Sequence, residues 1–198
     1  MDITQQLERA NKILCVTAKL ANEVVSSNGM SIKDFLSIIG EGLNLQLVAV
    51  VKKDIMHVEN NCVCDFWVKE EKSFKFENVL CNNCYRKGLS VCKCIQMDKP
   101  FSGKIKDLQF SDCKVKNVFA SNLNEEFNIS IIPLHKKNEV WGTICFCREN
   151  NGLWTNKEME ALNTIGQLLI VLIDKELEDQ NMIFTIRKKF ENLKVIAS

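Results

Sequence analysis

The chain has 198 residues, room for one domain with helical extensions rather than for two full cores. Apolar residues make up 46% and charged ones 26%, a globular balance that excludes general disorder. Twenty-six basic against 25 acidic side chains leave a net charge of +1, which argues against a nucleic-acid binder acting through bulk electrostatics.

In chain order, the first predicted element is a long helix. Ile3, Leu7, Ala10, Leu14, Thr17, Ala21 and Val24 step by four and three, a heptad seam that ends near Ser26 to Gly29. Ser31 suits the cap of a second, shorter helix with Asp34 in its first turn, a face of Phe35, Leu36 and Ile39, and a stop at Gly40-Glu41-Gly42. Strand patterns follow at Leu45–Val51, Ile55–Glu59 and Asp65–Glu70, with Phe66 and Val68 on one face. From Glu71 to Asp112 the periodicity weakens, so loops and short helices are expected there. Ile129–Leu134 and Val140–Cys147 then flank the polar stretch His135–Glu139 and read as an antiparallel hairpin. Thr155 with Glu158 three residues later forms a capping box for a last helix. Its seam runs Leu162, Ile165, Leu169, Leu172, Glu176, Asp179, Ile183, Ile186, Phe190 and Leu193. A helix of about 40 residues at 1.5 Å each outruns one small sheet, so its far half is expected to pair with a second protomer.

The N-terminal residues Met1 to Arg9 are polar, without the apolar core of a signal peptide. No run approaches the roughly 20 apolar residues that cross a bilayer. A cytoplasmic chain with no membrane partner is expected, its thiols reduced.

Several residues together resemble the GAF family of sensory domains. Ile131-Ile132-Pro133-Leu134, a polar turn, and Val140-Trp141-Gly142-Thr143-Ile144 match its strand ending Pro-Leu and its Gly-containing return strand. Leu153-Trp154-Thr155-Asn156-Lys157-Glu158 is similar to its aromatic-Thr-x-x-Glu lead into the final helix. The resemblance implies an α+β fold of the GAF/PAS type: a central antiparallel sheet, helices on one face, a ligand pocket on the other, and long terminal helices. The organisation expected is an N-terminal helix over 1–29, the sensory domain over 30–175 and a signalling or dimerising extension over 176–198. It also implies a homodimer that relays ligand or cofactor state to an output kinase or regulator. Only Asn124-Glu125-Glu126-Phe127 echoes the cyclic-nucleotide-binding members, and His57 and His135 are isolated from the patterns that hold bilin or haem.

Ten cysteines are the compositional oddity. Cys81-Asn82-Asn83-Cys84 and Cys92-Lys93-Cys94 offer four thiolates within fourteen residues, a set that suits zinc or an iron–sulfur cluster. Cys62, Cys64 and Cys113 stand near enough to replace any one of them. A second reading makes the cysteines small buried hydrophobes, which suits Cys15, Cys145 and Cys147. A third is thiol redox chemistry. Its enzymatic form rests on resemblance, because some GAF proteins reduce free methionine sulfoxide with cysteines in this crossover. Cys84, Cys94 and Cys113 fall in the corresponding region, although Gly88 to Lys93 and Phe110 to Asp112 differ from the flanking patterns of those enzymes. Carboxylates are scattered and no glycine loop cradles phosphate, so a non-catalytic sensor is the expectation.

Overall fold

The structure of the protein is a computed structural model that describes residues 3–26, 29–52, 63–69, 98–107, 124–149 and 152–196. Helix α1, Ile3–Ser26, buries Ala10, Ile13, Val16, Thr17, Leu20 and Val24. This stripe lies beside the predicted seam rather than on it. Ala10, Thr17 and Val24 belong to both, but Ile3, Leu7 and Leu14 face outward. Ile13 and Leu20 supply the bulk that reaches the core, and at 100° per residue they set the contact face next to the heptad stripe. Cys15 is also exposed, contrary to the expectation that it packs.

Helix α2, Ile32–Leu43, starts where expected. The Ser31 hydroxyl oxygen accepts the Asp34 N–H at 3.1 Å, and the Asp34 carboxylate accepts the Ser31 N–H at 3.3 Å. Its end differs from expectation. The helix runs through Gly40 and Gly42 and stops at Asn44, which is left-handed at φ 52° and donates its N–H to the Glu41 carbonyl. Both glycines are contact points. A Cβ on Gly40 would run into the Trp67 ring, and one on Gly42 would lie 2.7 Å from a Val16 methyl.

Five strands form one antiparallel sheet: β1 Leu47–Lys52, β2 Val63–Val68, β3 Phe101–Lys104, β4 Asn128–Lys136 and β5 Glu139–Arg148. Their order is β2-β1-β5-β4-β3. Strand β3 falls inside the stretch expected to be loops and short helices. Four residues show too little alternation to stand out, and the β4 edge supplies their pairing partners. The strand expected at Ile55–Glu59 lies outside the described residues. The β4–β5 hairpin turns more tightly than expected, on Lys137-Asn138 alone, both left-handed at φ 51° and 65°. A two-residue turn of this kind matches the twist of the flanking strands, and the strands extend to Lys136 and Glu139 accordingly.

Helix α3 spans Asn156–Ile196, 41 residues. The Thr155 N–H donates to Glu158 Oε2 at 2.7 Å and the Glu158 N–H donates to Thr155 Oγ1 at 3.3 Å, the expected capping box. Leu162, Ile165, Leu169 and Leu172 are buried, as their spacing predicts. Helix α1 lies beside α3 in the same direction: Arg9 and Lys12 share a cleft with Glu158, and Lys175 Nζ reaches the Val24 carbonyl at 3.4 Å. The helices α1, α2 and α3 pack on one sheet face, where Val48, Val50, Ile132, Leu134, Ile144 and Phe146 meet Leu20, Phe35, Ile39, Leu162 and Ile165.

Candidate functional site

Every second residue of the central strands points to the other face of the sheet. There the pairing registers build three rows across β1, β5 and β4: Leu47–Cys147–Ile129, Ala49–Cys145–Ile131 and Val51–Thr143–Pro133. Leu47, Ala49, Cys145, Cys147, Ile129, Ile131 and Thr143 are each fully shielded from solvent. The hydroxyl of Thr143 is buried without a hydrogen-bond partner among the described residues. Leaving such a group unpaired costs about 1–3 kcal/mol. Gly142, one residue along β5, pairs with Lys52 and Leu134 on the alternate phase, and a Cβ there would strike the Val51 carbonyl oxygen on the adjacent strand. Burial raises the Cys147 thiol well above its ordinary range, and neighbouring Cys145 adds to the effect. Cys147 therefore stays a neutral thiol, and the packing role expected for Cys145 and Cys147 fits their burial.

The predicted metal set, Cys81, Cys84, Cys92 and Cys94, lies outside the described residues. So do Cys62, Cys113 and His57, and the side chain of Cys64. Among the described residues no group of three or more His, Cys, Asp or Glu side chains is placed to hold a metal ion. His135, in β4, sits 2.5 Å from an Asp98 carboxylate oxygen near the surface. The segment Asn124–Phe127 is a clamp. Glu126 accepts hydrogen bonds from Lys104 Nζ at 2.7 Å and Lys106 Nζ at 2.5 Å, which hold its carboxyl down to about 2. Asn124 Oδ1 accepts the Glu126 N–H at 2.9 Å and its carbonyl accepts the Phe127 N–H, so the segment ties the end of β3 to the start of β4.

One buried cluster went unread in the sequence. Arg148 closes β5 with 7% exposure, and Glu158 on the first turn of α3 has none. Arg148 Nη1 donates to Glu158 Oε1 at 2.7 Å, while Nη2 donates to the carbonyls of Gly152 at 3.1 Å and Leu153 at 3.2 Å. The guanidinium carbon lies 3.7 Å from the centre of the Trp154 ring, a cation–π stack. Burial pushes the Glu158 carboxyl up. The bonds from Arg148 and from the Thr155 N–H outweigh it, and the net shift is downward. Glu158 thus caps α3 and also locks the helix to the end of β5. The capping box was the only trace of this in the sequence, because a charged residue ending a strand ordinarily faces water.

A sequence model described as the GAF domain matches residues 32–173. The chain belongs to the GAF domain family. Among solved structures it is similar to the GAF domain of a phosphoenolpyruvate-protein phosphotransferase from Coxiella burnetii, at 13% identity and a TM-score of 0.64, covering 87% of this chain and 98% of that one. The nlh2 GAF domain of A. aeolicus in an inactive state matches at 17% identity and 0.59, over 85% and 99% of the two chains. The phycocyanobilin-bound GAF domain of a cyanobacterial phytochrome matches at 13% and 0.55, over 82% and 94%. No curated protein matches the chain. No helix among the described residues is long and apolar enough to cross a membrane.

Proposed function

We propose that this GAF domain is a sensory module in signal transduction, which binds a small ligand or a Cys-ligated cofactor and relays its state through α1 and α3. The observation that carries the reading is the family match over residues 32–173. The buried second face of the sheet supports it, because an apolar wall with one unpaired hydroxyl at Thr143 is the surface a mostly apolar ligand needs. A similar fold in a phytochrome holds phycocyanobilin, so the architecture admits a bound chromophore-sized molecule. In this chain Cys81, Cys84, Cys92 and Cys94 are the candidate ligands for zinc or an iron–sulfur cluster, since four thiolates satisfy either. The relay acts on a second copy of the chain and, through it, on an output kinase or regulator.

Anaerobic purification followed by metal analysis and a visible absorption spectrum tests the cofactor. Bound zinc, or iron with sulfide and a brown colour, lost together in Cys81→Ser and Cys84→Ser, is the expected result. Colourless, metal-free protein eliminates the thiolate site and leaves the small-ligand form. Hydrogen exchange then reads the relay, with protection expected to change along α3 when the cofactor is removed. Turnover of free methionine sulfoxide that depends on Cys84 and Cys113 would replace the sensory reading with an enzymatic one.

A further inference from the structure

The helix-covered side of the sheet carries a second site, separate from the buried face described above. A cleft of about 120 Å³ opens where α1, the end of α2, the end of β5 and the start of α3 converge. Arg9, Lys12, Asn44, Arg148, Trp154 and Glu158 are among the residues that line it. Two of the side chains that line it hold hydrogen-bond donors left unpaired among the described residues. Arg148 Nε–H and Trp154 Nε1–H are buried and have no partner among the described residues. Both side chains are more than nine-tenths buried, so each unpaired donor carries a desolvation cost. They belong to the same stack, with the guanidinium carbon 3.7 Å from the ring centre.

The charges around the cleft select the ligand. Glu158 is the single carboxylate among the described residues that line it, and its oxygens already accept from Arg148 and the Thr155 N–H. It neutralises Arg148, and three of its roughly four acceptor sites are taken. Lys12, on α1, brings a further positive side chain to the rim. Donors without acceptors, with surplus positive charge above them, suit an acceptor-only group with two or more oxygens. Near the end of α2 the Glu41 and Gly40 carbonyls accept from the Asn44 and Leu45 N–H groups, which limits the repulsion of an anion by those two.

We propose that this cleft binds a small oxyanion, the carboxylate or phosphate group of a metabolite, which accepts from Arg148 Nε and Trp154 Nε1 and pairs with Lys12. Occupancy would bridge α1 to the β5–α3 lock, so the site addresses the same two helices that carry the relay. It does so independently of the opposite face and of the cysteines.

The test is a proton–nitrogen NMR titration of the full chain with sodium phosphate and, separately, sodium acetate, ionic strength being balanced with sodium chloride. The chain holds three tryptophans, and Trp154→Phe identifies which indole signal is that of Trp154. The expected result is saturable movement of the Trp154 indole N–H and the Arg148 Nε–H. Phosphate alone acting marks a phosphoryl site, acetate alone a carboxylate site, and both a general oxyanion site. Loss of the indole donor in Trp154→Phe should weaken binding about two- to tenfold, read on Arg148 Nε–H. Lys12→Gln alters an exposed side chain and leaves the fold intact, and it should weaken binding with both reporters still present. Neither signal moving, movement without saturation, or saturation indifferent to Lys12→Gln overturns the proposal and leaves a cleft filled by water or an adventitious ion only.

Discussion

Arg148 and Glu158 form a fully enclosed ion pair, and such pairs act asymmetrically. The attraction offsets the desolvation of both charges only while both are present. In Glu158→Gln the guanidinium stays charged between Trp154 and the Gly152 and Leu153 carbonyls without its counter-ion. The variant is expected to lose about 3–5 kcal/mol of unfolding free energy at pH 7, measured by urea titration. The pH dependence has a definite sign. The folded carboxyl lies below its ordinary value of 4.5, so the ion pair's contribution is fully present above that pH and fades as pH falls through the folded value. The stability gap between wild type and Glu158→Gln should therefore narrow on acidification; a constant gap from pH 7 to pH 3 would exclude the assignment. Cysteine reactivity follows from the same reasoning about burial. Cys15 is exposed on α1, whereas Cys147 is shielded and its thiol is held neutral. Alkylation of the native protein followed by peptide mapping should label Cys15 and spare Cys145 and Cys147 until denaturant is added.

At the scale of elements, close approaches rather than turns account for glycines that a sequence reading takes for punctuation. Gly142 stands in the middle of a hairpin strand, and a Cβ there meets backbone, the Val51 carbonyl oxygen, which has little freedom to yield. Gly142→Ala should cost about 1–3 kcal/mol by pushing β1 from β5, with loss of exchange protection confined first to that strand pair. Gly40 in α2 obeys the same logic against the Trp67 ring, and for this reason the helix does not end where the Gly-Glu-Gly triplet suggests. What could be read in advance was whatever a local rule encodes. The Thr155–Glu158 and Ser31–Asp34 caps, the alternation of β4 and β5 and the apolar stripe of early α3 all follow from neighbours three, four or two residues away. Strand β3 and the Arg148–Glu158 lock were not legible, because each depends on a partner brought in by the fold. Phe101–Lys104 is a strand because β4 offers it an edge. Arg148 is buried because α3 delivers a carboxylate to it. The α1 seam was half legible, since periodicity locates an apolar stripe but not which of two adjoining stripes the core takes.

For the whole molecule, that second stripe is informative. Ile3, Leu7 and Leu14 lie on one line along α1 at 72%, 46% and 53% exposure, beside the stripe that packs inward. On the helix that runs parallel to it, Val171, Leu177 and Met182 are exposed at 55%, 43% and 62%. A chain that spends six spaced positions on outward apolar surface gains nothing from it as a monomer, whereas two copies meeting along α1 and α3 would remove both sets from water. Parallel helices from each copy would then form a bundle, and the part of α3 that runs past the sheet would continue it. Sedimentation of the full chain should show a dimer. Leu7→Asp with Leu14→Asp places two charges on that line without touching the buried stripe, so the helical circular dichroism signal should persist while the particle halves in mass. A monomer at tens of micromolar wild-type protein would sink the idea, as would a dimer that the double substitution leaves intact. The same variant separates binding from relay. Both the buried sheet face and the Arg148–Trp154 cleft lie within one protomer, so ligand affinity should survive monomerisation. A ligand-dependent change in exchange along the distal part of α3 should not, if a neighbouring copy is what would give that part of the helix a second packed state to occupy.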